Sequence, residues 1–119
     1  MAANPVPRAP ALSFDVAAGT DETTVRCAGR IVTETTALLK STVKPLLAPH
    51  HTVVLDLTEV DYLDSSGLGT IVGLYVSAKA SNSRLRLVNL NQRVRELFSI
   101  TRLGEVMAEG RDPEYFGIP

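Results

Sequence analysis

The sequence is short of several features that would define a protein class at once. It has a single cysteine, Cys27, and no tryptophan among 119 residues, so no internal disulfide can form. Twelve basic residues are set against thirteen acidic ones, and this balance lacks the positive excess that general nucleic-acid binding requires. No apolar run approaches the ~18 residues that a membrane span needs. We therefore expect neither direct nucleic-acid binding nor membrane association.

The composition is that of one globular domain, with 45% hydrophobic and 21% charged residues. We predict a flexible, proline-rich arm over residues 1–11, a domain over residues 12–110 and a tail over residues 111–119. The opening stretch MAANPVPRAPA has no apolar centre, so we read it as neither a signal peptide nor an anchor and expect a cytoplasmic protein. We expect Cys27 to be a small buried hydrophobe.

Hydrophobic spacing predicts strands that alternate with helices. The predicted strands are Leu12–Val16, Thr24–Ile31, Thr52–Leu57 and Arg84–Leu90, with a short edge strand at Val106–Met107. Three helices are predicted. The first begins at Thr33 and the second runs from Ser66 to about Ser81. The third carries Val94, Leu97, Phe98 and Thr101 on one face. Pro45 predicts a kink or an early end of the first helix. This order predicts an α/β fold, a mixed β-sheet with an N-terminal hairpin and helices mainly on one face.

The segment DYLDSSGLG, residues 61–69, places two serines between an aspartate and a glycine at the start of an apolar helical pattern. A nucleophile elbow needs glycine two residues before and after its serine, whereas Ser65 has Leu63 and Gly67 there. The chain's two histidines, His50 and His51, both precede the serines. The pattern therefore predicts no catalytic residue. Helix capping by Asp64 or Ser65 is the simplest expectation.

The sequence also matches the motifs of nucleotide-binding and phosphate-binding sites poorly. Gly67, Gly69 and Gly73 spell G-x-G-x-x-x-G, one residue longer than the dinucleotide fingerprint, and no phosphate-loop motif occurs. Asp56 resembles the phosphorylated aspartate of a receiver domain, but no acid pair for Mg²⁺ follows the first strand. We predict no cofactor and no metal site. Gly69 and Gly73, four residues apart, are instead expected to bring one helix face close to the sheet or to a partner helix.

From about Thr24 to Met107 the chain resembles the STAS domain, and specifically the bacterial anti-sigma factor antagonists. DSSGLG fits the family pattern at every position, and the later VNLNxxVxxLFxxTxL resembles the family's last strand and helix. The chain departs from the pattern after its second strand, where the family often has Gly-x-Leu-Asp. Here Gly29–Thr33 contains no acid, which leaves partner identity open.

The resemblance implies a regulatory protein that is not an enzyme. It implies that Ser65 is phosphorylated by an anti-sigma factor that is also a serine kinase and supplies the ATP and Mg²⁺. Unmodified protein would bind that kinase and free a sigma factor, phosphorylation would end the binding, and a serine phosphatase would restore it. The implied partner-binding residues are Asp61, Asp64, Ser65, Ser66, Gly67, Leu68 and Gly69.

Two other functions remain open on the sequence. The chain could be a non-switching STAS module of a lipid transporter or of a stressosome-like scaffold, although such relatives often lose the serine. A small-ligand-binding enzyme is the more distant alternative. The switch requires an accessible serine, so we predict that Ser65 lies exposed at the N-terminus of a helix that begins between residues 64 and 67.

Overall fold

A computed structural model describes residues 11–101, without the side chains of residues 93, 98, 100 and 101. This part of the chain forms the elements β1 (Leu12–Ala18), β2 (Glu22–Ile31), α1 (Thr36–Val43), β3 (Thr52–Leu63), α2 (Ser65–Ala80), β4 (Arg84–Val88) and α3 (Gln92–Thr101). Short 3₁₀ turns at Thr33–Thr35 and Lys44–Leu46 flank α1. The predicted strand at Val106–Met107, the domain end at residue 110 and the tail lie outside the described residues.

The four strands form one mixed sheet in the order β1-β2-β3-β4. β1 and β2 are antiparallel, while β2–β3 and β3–β4 are parallel. This confirms the predicted N-terminal hairpin and mixed sheet. Ala11, which the sequence places in the flexible arm, accepts a hydrogen bond from the Arg30 N–H at 2.8 Å. Contact with β2 therefore extends one residue before Leu12, into the last position of the predicted arm.

One face of the sheet is covered by α1 and α2, as predicted for helices on one side. Alternate strand residues point into this core, as the period of two requires. The buried side chains there include Val25, Cys27, Val53, Leu55, Leu85 and Leu87 from the strands and Leu39, Val43, Ile71, Leu74 and Ala78 from the helices. Burial, with a contribution from Asp56, raises the pKa of Cys27 to about 12, so its thiol stays neutral and inert as expected.

Proline and asparagine end the elements where backbone geometry requires it. The α-helix stops at Val43 and the chain tightens into a 3₁₀ turn that contains Pro45, which confirms the predicted early end. Asn82 and Asn89, with φ of 58° and 60°, follow α2 and β4 in the left-handed conformation that asparagine tolerates. No helix in residues 11–101 is both long and apolar enough to cross a membrane.

β3 is longer than predicted, since it continues from Leu57 to Leu63. In this extension the buried residues are Val60 and Leu63, three apart, so the alternation that marks a strand is lost. Irregular pairing with β2 causes the change, because the register shifts between Arg26 and Ala28 and again between Gly29 and Arg30. The pairing with β4 ends at Asp56, so the end of β3 extends beyond β4 and carries the DSSG segment with it.

Candidate functional site

The DSSG segment lies at the junction of β3 and α2. Asp64 is the N-cap of α2, in an extended conformation with φ −102° and ψ −176°. Its Oδ1 accepts a hydrogen bond from the Gly67 N–H at 2.8 Å. Such a cap contributes about 1 kcal/mol to stability. The capping prediction is confirmed, and Asp64 is the residue that does it.

Ser65 is the first residue of α2 and is exposed. This confirms the prediction that the helix begins between residues 64 and 67 with Ser65 accessible at its start. Its hydroxyl makes no hydrogen bond within the part of the chain that the structure describes. The first N–H groups of a helix have no partner inside the helix, so a negative group on Ser65 would meet free donors and the positive end of the dipole.

Ser66 is exposed too, but its hydroxyl is engaged. Its Oγ accepts a hydrogen bond from Thr33 Oγ1 at 2.9 Å, and the Thr33 N–H donates to Asp64 Oδ2 at 3.3 Å. The Thr70 hydroxyl donates to the Ser66 carbonyl at 2.9 Å. The turn that follows β2 is thereby joined to the start of α2. Sequence reasoning missed the contact of Thr33; the available signal was that parallel β2 and β3 end at the same edge of the sheet.

Two residues of the segment lie beneath the surface. Leu68 is 1% exposed and belongs to the core. Gly67 is also buried, and a Cβ on it would lie 2.1 Å from the backbone oxygen of Ile31. A side chain cannot fit at that distance. Gly67 lies against the end of β2 and Leu68 belongs to the core, so neither residue forms part of the accessible surface.

Gly69 and Gly73 differ from the expectation. Both are exposed, and a Cβ on either residue would have no neighbour within 4 Å. The prediction that they approach the sheet closely is wrong, because this helix face points away from it. Gly67 makes the close approach instead. The expectation also allowed contact with a partner helix, and Gly69 and Gly73 are accessible for such a contact.

Both glycines line a groove of about 490 Å³ between α1 and α2. Two exposed lysines, Lys40 and Lys44, stand four residues apart in its lining. Among the described residues no acidic side chain lines it, and the remaining residues are mostly hydroxyl-bearing: Thr33, Thr36, Ser66, Thr70, Leu74 and Ser77. The groove therefore presents positive charge and hydroxyl groups next to Ser66, a feature that sequence reasoning missed because α1 and α2 meet only in the folded chain.

Two exposed side chains precede the DSSG segment near the end of β3. Asp61 is exposed, and Tyr62 beside it is 46% exposed near the end of β3. Tyrosine offers a partner a large apolar area and a hydroxyl at little cost in side-chain entropy, so Tyr62 is a further candidate contact residue close to Ser65 in the chain. It was not among the predicted site residues.

Asp56, the candidate phosphorylated aspartate, is occupied by structural bonds. Burial acts to raise its pKa, but hydrogen bonds from Thr58 and Asn89, together with Arg26 at 3.7 Å, outweigh that effect and hold the pKa below its usual value. Within residues 11–101 no group of three or more His, Cys, Asp or Glu side chains could hold a metal ion. The aspartate thus anchors β3 to its neighbours.

Comparison with known proteins agrees with this geometry. The family model described as the STAS domain matches residues 14–113, most of the chain. The chain therefore belongs to the STAS family.

Two curated relatives within that family are anti-sigma factor antagonists. The anti-sigma-B factor antagonist of Bacillus subtilis is 31% identical over 96 residues, which are 81% of this chain and 88% of that protein. The anti-sigma-B factor antagonist of Listeria monocytogenes is 36% identical over 89 residues, 74% of this chain and 78% of that protein.

A solved structure shares the fold. The anti-sigma factor antagonist SpoIIAA in its unphosphorylated form is 20% identical and superposes with a TM-score of 0.65 over 83% of this chain and 96% of that one. At this identity the match shows the fold alone, and it confirms the single α/β domain predicted from the element order.

Proposed function

We propose that this protein is an anti-sigma factor antagonist whose binding is switched by phosphorylation of Ser65. The observation that carries the proposal is the Ser65 hydroxyl itself, exposed at the first position of α2 and without a hydrogen bond among the described residues. The names of the curated relatives support the same function. The unmodified protein binds an anti-sigma factor that is also a serine kinase, and this frees a sigma factor.

The proposed partner surface is the accessible part of the segment. It consists of the exposed residues Asp61, Ser65, Ser66 and Gly69 together with the partly buried Asp64, and we add Tyr62 for its exposed ring. The surface carries no catalytic machinery in this proposal. The kinase supplies ATP and Mg²⁺, and the antagonist contributes the acceptor serine.

Phosphorylation changes the charge of this surface sharply. A phosphoserine carries about −1.5 to −2 charges at pH 7 and would stand beside Asp64 and near Asp61. Within the folded protein the helix dipole offsets part of the repulsion, by roughly 0.3–1 kcal/mol. A partner that accepts a neutral serine has no such compensation, because like charges brought together across an interface cost several kcal/mol. Phosphorylation therefore ends binding without unfolding the antagonist.

A serine phosphatase closes the cycle by restoring the neutral hydroxyl. Because a sigma factor acts on transcription, the cycle would run in the cytoplasm. A non-switching STAS module of a transporter or a scaffold would need no hydroxyl at position 65 that is free to accept a phosphate.

The test uses the anti-sigma factor kinase of the source organism and three variants. With ATP, mass spectrometry should find one phosphate on Ser65 and little or none on Ser66. By titration calorimetry, Ser65→Ala should bind within about threefold of the parent, because shape and charge barely change. Ser65→Asp should bind roughly tenfold more weakly or worse, although aspartate imitates phosphate only in part.

Ser66→Ala is the matched control and should still accept phosphate at Ser65. Loss of binding by Ser65→Ala, or parental binding by Ser65→Asp, would show that charge at this serine is not the control. The non-switching module would then be the better account.

A further inference from the structure

We propose that Thr33 determines which of the two adjacent serines is phosphorylated, by holding the Ser66 hydroxyl in a hydrogen bond. This inference rests on the proposed function, since it concerns the same phosphorylation step. Thr33 acts as a positioning residue and does not touch the transferred phosphate.

The two serines are alike in sequence and in exposure but not in bonding. Ser66 Oγ accepts the Thr33 hydroxyl at 2.9 Å, while the Ser65 hydroxyl has no partner in the described residues. Exposure alone therefore does not separate them. The bond to Thr33 is the difference.

Thr33 is itself held in place. Its N–H donates to Asp64 Oδ2 at 3.3 Å, and its carbonyl accepts from the Thr36 hydroxyl at 3.1 Å. The Asp64 N–H donates to the Ile31 carbonyl at 3.2 Å, so the two chain segments are joined at several points. These contacts fix the residues on both sides of Ser65 and leave Ser65 free.

Phosphoryl transfer makes this difference matter. The acceptor oxygen attacks the γ-phosphorus of ATP, the bond from that phosphorus to the ADP oxygen breaks, and the hydroxyl proton passes to a base of the kinase. The oxygen must line up with the leaving group, with a lone pair directed at phosphorus. Thr33 occupies one lone pair of Ser66 Oγ and holds its rotamer, so fewer orientations of Ser66 direct a lone pair at phosphorus, whereas Ser65 can rotate freely. Thr33 thus slows transfer to Ser66 relative to Ser65.

The test compares the parent with Thr33→Val, which removes the hydroxyl and keeps the branched shape. After limited phosphorylation by the kinase, mass spectrometry gives the ratio of phosphate on Ser66 to phosphate on Ser65. We expect the ratio to rise roughly two- to tenfold, the range that one neutral hydrogen bond supports. Thr33→Ser, which restores a hydroxyl, should return the ratio toward the parental value.

Ser41→Ala is the matched control, because it removes an exposed hydroxyl of α1 that bonds to the Leu38 carbonyl and to neither Thr33 nor Ser66. Its ratio should equal that of the parent. A parental ratio in Thr33→Val, with phosphorylation at Ser65 intact, would overturn the role of Thr33 and leave the proposed function standing.

A second measurement needs no kinase. Three-bond NMR couplings of the β-protons should show a single rotamer for Ser66 in the parent and averaged rotamers in Thr33→Val, with Ser65 averaged in both. Averaged couplings at Ser66 in the parent would overturn the inference. If the kinase modifies neither serine of the parent, the proposed function fails, and the couplings decide the role of Thr33 alone.

Discussion

The first turn of α2 and the two turns that follow it use the same residue types in opposite ways. In the first turn Gly67 is buried against the Ile31 carbonyl and Asp64 is bonded on both carboxylate oxygens. In the next turns Gly69 and Gly73 face an open groove, with nothing within 4 Å of the position that a Cβ would take. The first turn is held by the rest of the protein, and the later turns are left for something outside it.

The difference shows that a glycine does not by itself indicate close packing. All three glycines lie in one helix within seven positions, yet only Gly67 is where a neighbouring backbone crosses. Ser65 repeats the lesson for hydroxyl groups, because it stays free between two residues that are bonded. Ser65, Gly69 and Gly73 are therefore free because the turn that follows β2 does not contact them.

The largest effect is expected for Gly67→Ala, in the packed first turn of α2. A Cβ there would lie 2.1 Å from a backbone oxygen, which cannot move aside as a flexible side chain could. We expect a loss of about 2 kcal/mol in the free energy of unfolding, in the range for overpacked sites. Urea denaturation measures it. Parental stability would mean that α2 does not rest on Ile31.

Removal of the cap should have a smaller effect. Asp64→Ala deletes the acceptor of the Gly67 and Thr33 N–H groups, and we expect a loss of about 1–2 kcal/mol in the free energy of unfolding. Asp61→Ala is the matched control, an exposed aspartate three residues earlier, and should change stability by less than about 0.5 kcal/mol. Thermal unfolding measures both variants. If both lost the same stability, the effect would come from the loss of negative charge and not from the loss of the cap.

The smallest effect is expected in the later turns. Gly69→Ala and Gly73→Ala should leave stability unchanged or raise it by about 0.5–1 kcal/mol, because alanine favours a helix and has open space here. Gly73→Leu should also fold normally, and it should reveal any partner in the groove through weaker binding. A clear loss of stability in either alanine variant, measured by urea denaturation, would show that the groove closes in solution.

Much of the fold could be predicted because it depends on local periodicity and on backbone preferences. The hairpin, the buried centre of β3, the stop after α1 near Pro45 and the start of α2 at DSSG all follow from residues close in sequence. The extension of β3 could not be predicted, because its irregular pairing with β2 replaces the alternation by which a strand is recognised. The contact of Thr33 with Ser66 joins residues 33 apart in the chain, which no local pattern encodes.

By itself the sequence determined the α/β order, the family resemblance and the position of an accessible Ser65 at a helix start, because a capping aspartate and a change of hydrophobic period are local signals. Only the tertiary structure decided that Gly67 is packed while Gly69 and Gly73 are open, and that Ser66 is bonded while Ser65 is free. The physical reason is that these properties depend on the position of a second chain segment. The parallel pairing of β2 with β3 brings the Ile31–Thr33 turn against the first turn of α2 and no further along it.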